Sequence, residues 1–223
     1  MSANVITSKE AGWKYLLLAF GAFIGLGLEA LYAFLLEPMI YGKQMNEWTT
    51  SHTISHWIIT CITWGLAAFI LIRIAKSKTG FDIFTETEKL KMWQWAVAVV
   101  FAVFTFILSW IDWKGFKCLY EFNSNGWLKF MFQYIYYIFE TMLFTLIIVF
   151  GQKAFERWTK IENIPWGGIL CAVTWGLGHI LSKGSVSYGL LSALSGFMFG
   201  AVYLIVNRDI RKAYVFLLLM FIL

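Results

Sequence analysis

The chain has 223 residues, 60% of them apolar and 14% charged, and its mean hydropathy is +0.68. That balance lies well outside the range of soluble domains. A net charge of +5, spread over short loops, gives no nucleic-acid footprint and reads as orientation signals and contacts to lipid heads.

Apolar runs occupy Tyr15–Leu36, Trp57–Ile72, Trp93–Ile111, Phe130–Gln152, Ile164–Ser182 and Ser185–Val206. About 20 apolar residues make a helix long enough to cross the hydrocarbon core, and backbone groups in lipid must be satisfied within the segment. The predicted fold is therefore all-α: a single polytopic transmembrane bundle of six full helices, followed by a short seventh. The last run, Ala213–Leu223, reaches roughly half way across at about 1.5 Å per residue. It is read either as a half-helix tucked into the bundle or as the start of a longer segment.

The N-terminus, Met1-Ser-Ala-Asn4, lacks the basic region and cleavage site of a signal peptide, so the first run is expected to stay in the membrane. That run contains Gly21-x-x-x-Gly25, a close-packing motif, and Glu29, a charge at membrane depth. Glu29 reads as a neutral carboxyl hydrogen-bonded in the bundle, with a helper carboxylate as the alternative.

After it comes an outer loop leading to His52 and His56. The i,i+4 spacing places both imidazoles on one helical face, as metal ligands require. With His179 at the same leaflet, the three histidines form a zinc-like set. Against this stands a plain helix start with Thr50 or Ser51 as the cap. No cofactor is expected, and zinc at His52, His56 and His179 is the alternative.

The 76–92 connector has mixed charge and a Gly80 turn. The third run ends in the aromatic belt Trp110-Ile111-Asp112-Trp113, and the 114–126 loop ends on Asn123-Ser-Asn-Gly126, which is turn chemistry. Pro165 opens the fifth run, and Gly189, Gly196 and Gly200 give the sixth a close-packing face. Thr63-Trp-Gly-Leu66 recurs as Thr174-Trp-Gly-Leu177, too short an echo to be a repeat. Cys61, Cys118 and Cys171 show no paired spacing and read as small apolar residues.

Six crossings place 13 of the 18 Lys/Arg, those in the N-terminus and in the 73–91, 153–160 and 208–212 loops, on one side. The positive-inside rule makes that side cytoplasmic. The reading is an integral protein of a bacterial plasma membrane with a cytoplasmic N-terminus.

Two further ionisable residues stand inside apolar runs and define the candidate site. Glu140 lies in the fourth run, and His179 closes Trp175-Gly-Leu-Gly-His179 in the fifth. Such groups are costly in lipid and mark function by default. Tyr136 and Tyr137 precede Glu140 by four and three residues and share its face, so either hydroxyl could reach it. Glu140 and His179 are expected to face each other within direct or one-water hydrogen-bond distance.

At these residues the chain resembles the CAAX-prenyl-protease-like membrane family (CPBP or Abi). The family shows Glu-Glu-x-x-x-Arg, then Phe-x-x-x-His, then His-x-x-x-Asn, on three helices. Here the first motif reads Glu140-Thr141-Met-Leu-Phe-Thr145 and the second Trp175-Gly-Leu-Gly-His179. The basic loop between them, Pro165-Trp166 and the Gly-rich following helix also match, over about residues 126–212. The family's second Glu and its Arg fall on Thr141 and Thr145, an ion pair replaced whole, which a buried site tolerates. The third motif is missing, because Leu217–Leu223 is wholly apolar.

The resemblance implies an intramembrane endopeptidase in which Glu140 and His179 activate water, with Trp175, Thr141 and Thr145 in supporting positions. It would cleave membrane-associated peptides. The missing oxyanion motif implies weakened or lost activity. The alternative is a non-catalytic scaffold, regulator or bacteriocin-immunity protein whose partner is an envelope protein.

Overall fold

The computed structural model describes residues 8–223, and side chains from Gly12 onward. The Met1–Asn4 stretch read above lies outside the described residues. Among those residues every regular element is helical. In chain order the α-helices are α1 (Ser8–Leu31), α2 (Glu37–Tyr41), α3 (Thr50–Thr79), α4 (Met92–Trp113), α5 (Lys117–Thr159), α6 (Trp166–Cys171), α7 (Leu177–Lys183), α8 (Val186–Ile205) and α9 (Ile210–Ile222). Five stretches are long and apolar enough to cross a membrane: Gly12–Tyr41, Thr50–Thr79, Met92–Trp113, Lys117–Thr159 and Val186–Ile205. Leu17, Ile24, Ile62, Phe69 and Val100 point outward from them. An apolar outer face of this kind is consistent with an integral membrane protein.

Two π-turns interrupt the helical rods. One, Tyr32–Leu36, joins α1 to α2, and the other, Ala172–Gly176, joins α6 to α7. The fifth apolar run is thus a broken rod and not one long α-helix. π-turns insert a residue into the ladder and shift the register of everything that follows. Glu29 and Glu37 show the consequence. Eight residues apart, they would lie about 80° apart on a regular helix, whereas absorbing one residue in the π-turn brings them to within about 20°.

The hub is α5. From Leu143 to Gln152 every residue is buried, as expected of a helix enclosed on all sides. Its first nine residues, read from sequence as a loop, form a helical arm. Gly126 adopts φ 69° and ψ 166°, a conformation open essentially to glycine alone. The Tyr137 hydroxyl nevertheless donates to Glu121 Oε1 at 2.6 Å. Sixteen residues of straight helix would hold those groups about 24 Å apart, so the arm folds back onto Phe130–Tyr137.

Small residues let α8 press on the broken rod. A Cβ on Gly200 would fall on the backbone of Gly168, one on Gly196 would meet Ala172 N at 3.0 Å, and one on Gly176 would fall on the backbone of Ala193. In the first run, a Cβ on Gly21 would meet Leu71 at 2.8 Å. Both Gly-x-x-x-Gly motifs therefore sit at close helix contacts.

The basic segments gather at one end of the bundle. Arg208 pairs with Glu156 at 2.9 Å and donates to the Glu162 carbonyl. Thr87 reaches Asp209, and Asn207 reaches the Glu88 carbonyl. Trp13 lies edge-on to Trp158 at 5.0 Å. Gln152 holds the start of α6 there, accepting from Gly167 N and donating to the Ile164 carbonyl. At the opposite end Ser109 donates to the Leu223 carbonyl and Lys117 to that of Phe221.

Candidate functional site

Glu140 sits in α5 and is buried, and Trp175 lies in the π-turn between α6 and α7. The indole Nε1–H donates to Glu140 Oε1 at 2.9 Å. One turn on, His179 Nδ1 lies 2.8 Å from the Trp175 carbonyl, and the two rings meet edge-on at 4.7 Å. Trp175 therefore connects the two residues that the sequence singles out. Among the described residues no hydrogen bond joins Glu140 to His179 directly.

The tautomer follows from the partner. A carbonyl only accepts, so Nδ1 carries the proton and Nε2 is left with its lone pair. His179 lines a cavity of about 130 Å³ with Asp112, Lys117, Trp175, Ser192 and Ser195. The ring that carries this lone pair thus forms part of the wall of a partly polar cleft. Glu140 lies behind Trp175, outside the lining of that cleft.

Lys117 is the residue that sequence reading missed. Its position inside the 114–126 loop made it one of the outer-side charges, yet in the folded arm it is buried beside the site. Nζ donates to the Phe221 carbonyl at 2.7 Å and stands 4.7 Å from the ring centroids of both Tyr137 and Phe221. Such a cation–π cradle retains an ammonium away from bulk water. Phe221 lies in the apolar segment where the family resemblance calls for His-x-x-x-Asn. The last helix thus brings a backbone carbonyl to the site, and that carbonyl positions a cation from α5.

The remaining expected site residues divide. Tyr137 turns to Glu121 and accepts from Gln133, and Tyr136 packs on Trp64 at 4.7 Å. Neither hydroxyl bonds to Glu140. Thr145 donates back to the Thr141 carbonyl at 2.6 Å, and the buried Thr141 hydroxyl has no partner among the described residues.

The three histidines are not gathered. His52 stacks on Tyr41 at 4.2 Å, His56 pairs with Glu37, and His179 belongs to the cleft. Among the described residues no group of three His, Cys, Asp or Glu side chains could hold a metal ion. The α3 cap is Thr49, whose hydroxyl accepts from His52 N, one residue before the positions expected from the sequence.

Comparison with protein-family models, with curated proteins and with solved structures gives no match.

Proposed function

We propose that this chain is a polytopic membrane protein with six crossings and a cytoplasmic N-terminus, and that its cleft is a hydrolytic centre acting on membrane-associated peptides. The clustering of the basic segments at one end supports the sidedness. The observation that carries the chemical reading is the His179 tautomer: Nδ1–H is fixed on the Trp175 carbonyl, and Nε2 is left basic in a cleft that also holds Lys117.

In this reading Nε2 takes a proton from water as the oxygen attacks a peptide carbonyl. Lys117 Nζ stabilises the oxyanion, in the place of the absent third motif. Glu140, through the Trp175 indole, fixes the turn that aims the imidazole and offsets the imidazolium charge that forms. The imidazolium then protonates the leaving amine, and the base is restored. The CPBP/Abi resemblance at Glu140, Trp175 and His179 supports the same reaction class.

A second reading has its own support. The indole occupies one Glu140 oxygen, and Glu140 does not line the cleft, as suits a non-catalytic protein that binds an envelope partner there. The test is cleavage of a quenched-fluorescence peptide library by the full chain in proteoliposomes. Hydrolysis lost in H179A and reduced about 10²–10³-fold in K117M supports the first reading, since one lost oxyanion donor has that effect. Absence of turnover, or turnover unchanged in H179A, leaves the binding reading.

A further inference from the structure

A second polar cluster lies along α1, α2 and α3, apart from the cleft, with Glu37 and His56 buried and Glu29 partly exposed. His56 Nδ1 stands 2.6 Å from Glu37 Oε2, and Nε2 stands 3.8 Å from Glu29 Oε1. Both ring nitrogens thus face carboxylates. Glu37 and His56 are each 4% exposed. The Tyr32–Leu36 π-turn is what places Glu29 and Glu37 on one face, and π-turns of this kind recur at functional sites.

Independent of that geometry, buried polar atoms without hydrogen-bond partners among the described residues concentrate here. They include Glu37 Oε1, His52 Nδ1, Thr60 Oγ1 and Trp64 Nε1. His52, His56, Thr60 and Trp64 succeed one another at intervals of four on α3, so they form a single column. Buried polar groups in folded proteins are nearly always satisfied, and a column of exceptions marks a seam that takes up water or an ion. Among the described residues no group fits a metal ion, and the column mixes donors and acceptors, which suits water and protons.

We propose that Glu29, His56 and Glu37 form a proton-relay site in which the imidazole passes a proton between two carboxylates. A proton on Glu29 moves to Nε2, bridged by one water across the longer gap. The Nδ1 proton moves at the same time to Glu37 Oε2, so the net charge of the three groups is unchanged. Before and after the transfer the set holds one carboxylic acid, one carboxylate and one neutral imidazole, a net charge of −1; uptake of one further proton gives an imidazolium beside an acid and a carboxylate, which is neutral. Tyr41 neighbours Glu37, and Tyr136 and Glu140 from α5 lie within electrostatic reach of Glu29, as does His179. His52, one turn from His56, completes the titratable surroundings. The relay does not depend on the hydrolytic reading of the cleft.

The test uses the full chain in lipid nanodiscs with ¹⁵N-labelled histidine, H52N and H179N serving to assign the His56 signals. Between about pH 5 and pH 8, His56 is expected to populate imidazolium, with both nitrogens protonated. E37Q and E29Q, each nearly isosteric, are both expected to shift its titration and to remove a carboxylic-acid band from the infrared difference spectrum. A His56 that stays one neutral tautomer throughout overturns the proposal. So does a titration altered by E37Q and untouched by E29Q, because Glu37–His56 is then a plain pair.

Discussion

Replacing Trp175 by Phe tests the junction between Glu140 and His179 without relying on any activity. The substitution keeps an aromatic ring and deletes the N–H that donates to Glu140 Oε1 at 2.9 Å. Leaving a buried acceptor unsatisfied costs about 1–3 kcal/mol. The smaller ring opens roughly 40 Å³, worth about 1 kcal/mol at the usual cavity coefficient. W175F should therefore destabilise by about 2–4 kcal/mol. E140Q, whose amide oxygen still accepts, should cost less than about 1 kcal/mol. Removing both polar partners restores the balance, so E140L/W175F should be more stable than W175F alone, with a coupling of about 1–2 kcal/mol. The assay is reversible unfolding in mixed micelles of dodecyl maltoside and SDS, followed by circular dichroism. Strict additivity of the two substitutions, or a W175F protein as stable as wild type, would refute the reasoning.

Asp209 gives a pH dependence at the basic end. Burial raises its pKa, but the Lys212 ammonium and the backbone N–H groups of Lys212 and Arg211 outweigh that and lower it to about 2. A carboxyl depressed from about 3.9 stabilises the fold above about pH 4 and loses that contribution as pH falls toward 2. This amounts to about 1–2 kcal/mol once partial solvation of Lys212 is discounted. D209N should flatten acid-induced loss of stability over that window, and an unchanged profile would contradict the assignment. With Cys118 replaced by Ser, single cysteines at Lys43 or Asn46 should react with an impermeant reagent from outside, and those at Lys78 or Lys160 should not. The reverse pattern overturns the sidedness. Finally, G200L should destabilise by about 1–3 kcal/mol or more, because its side chain meets the Gly168 backbone. G27A meets nothing within 4 Å and should be neutral or stabilising by about 0.5–1 kcal/mol, which the same unfolding assay measures.

The residues legible in the sequence were those whose oddity is local. Glu140 and His179 stand out because they interrupt apolar runs, and Gly196 and Gly200 because their spacing recurs at one face. What escaped depends on changes of register or direction that composition does not record. Lys117 reaches the site, and Glu121 reaches Tyr137, only because the chain reverses at Gly126, and the Asn123–Gly126 turn signal did not disclose that its N-terminal flank is helical. Glu37 meets His56 only because a π-turn lies between Glu29 and Glu37, and no residue type in Tyr32–Leu36 announces it. The same holds for the interruption at Ala172–Gly176, inside a run that reads as one continuous helix. Trp175 was legible as an aromatic four residues before His179, whereas its role as the partner of Glu140 became visible only in three dimensions.

The central claim is that His179 Nε2 activates water in the cleft, and its most direct measurement is oxygen isotope incorporation. The full chain in proteoliposomes, given a peptide library in H₂¹⁸O, should yield new C-termini carrying ¹⁸O, and H179A should yield none. Absence of labelled termini from the wild type, or equal labelling in H179A, would contradict the account.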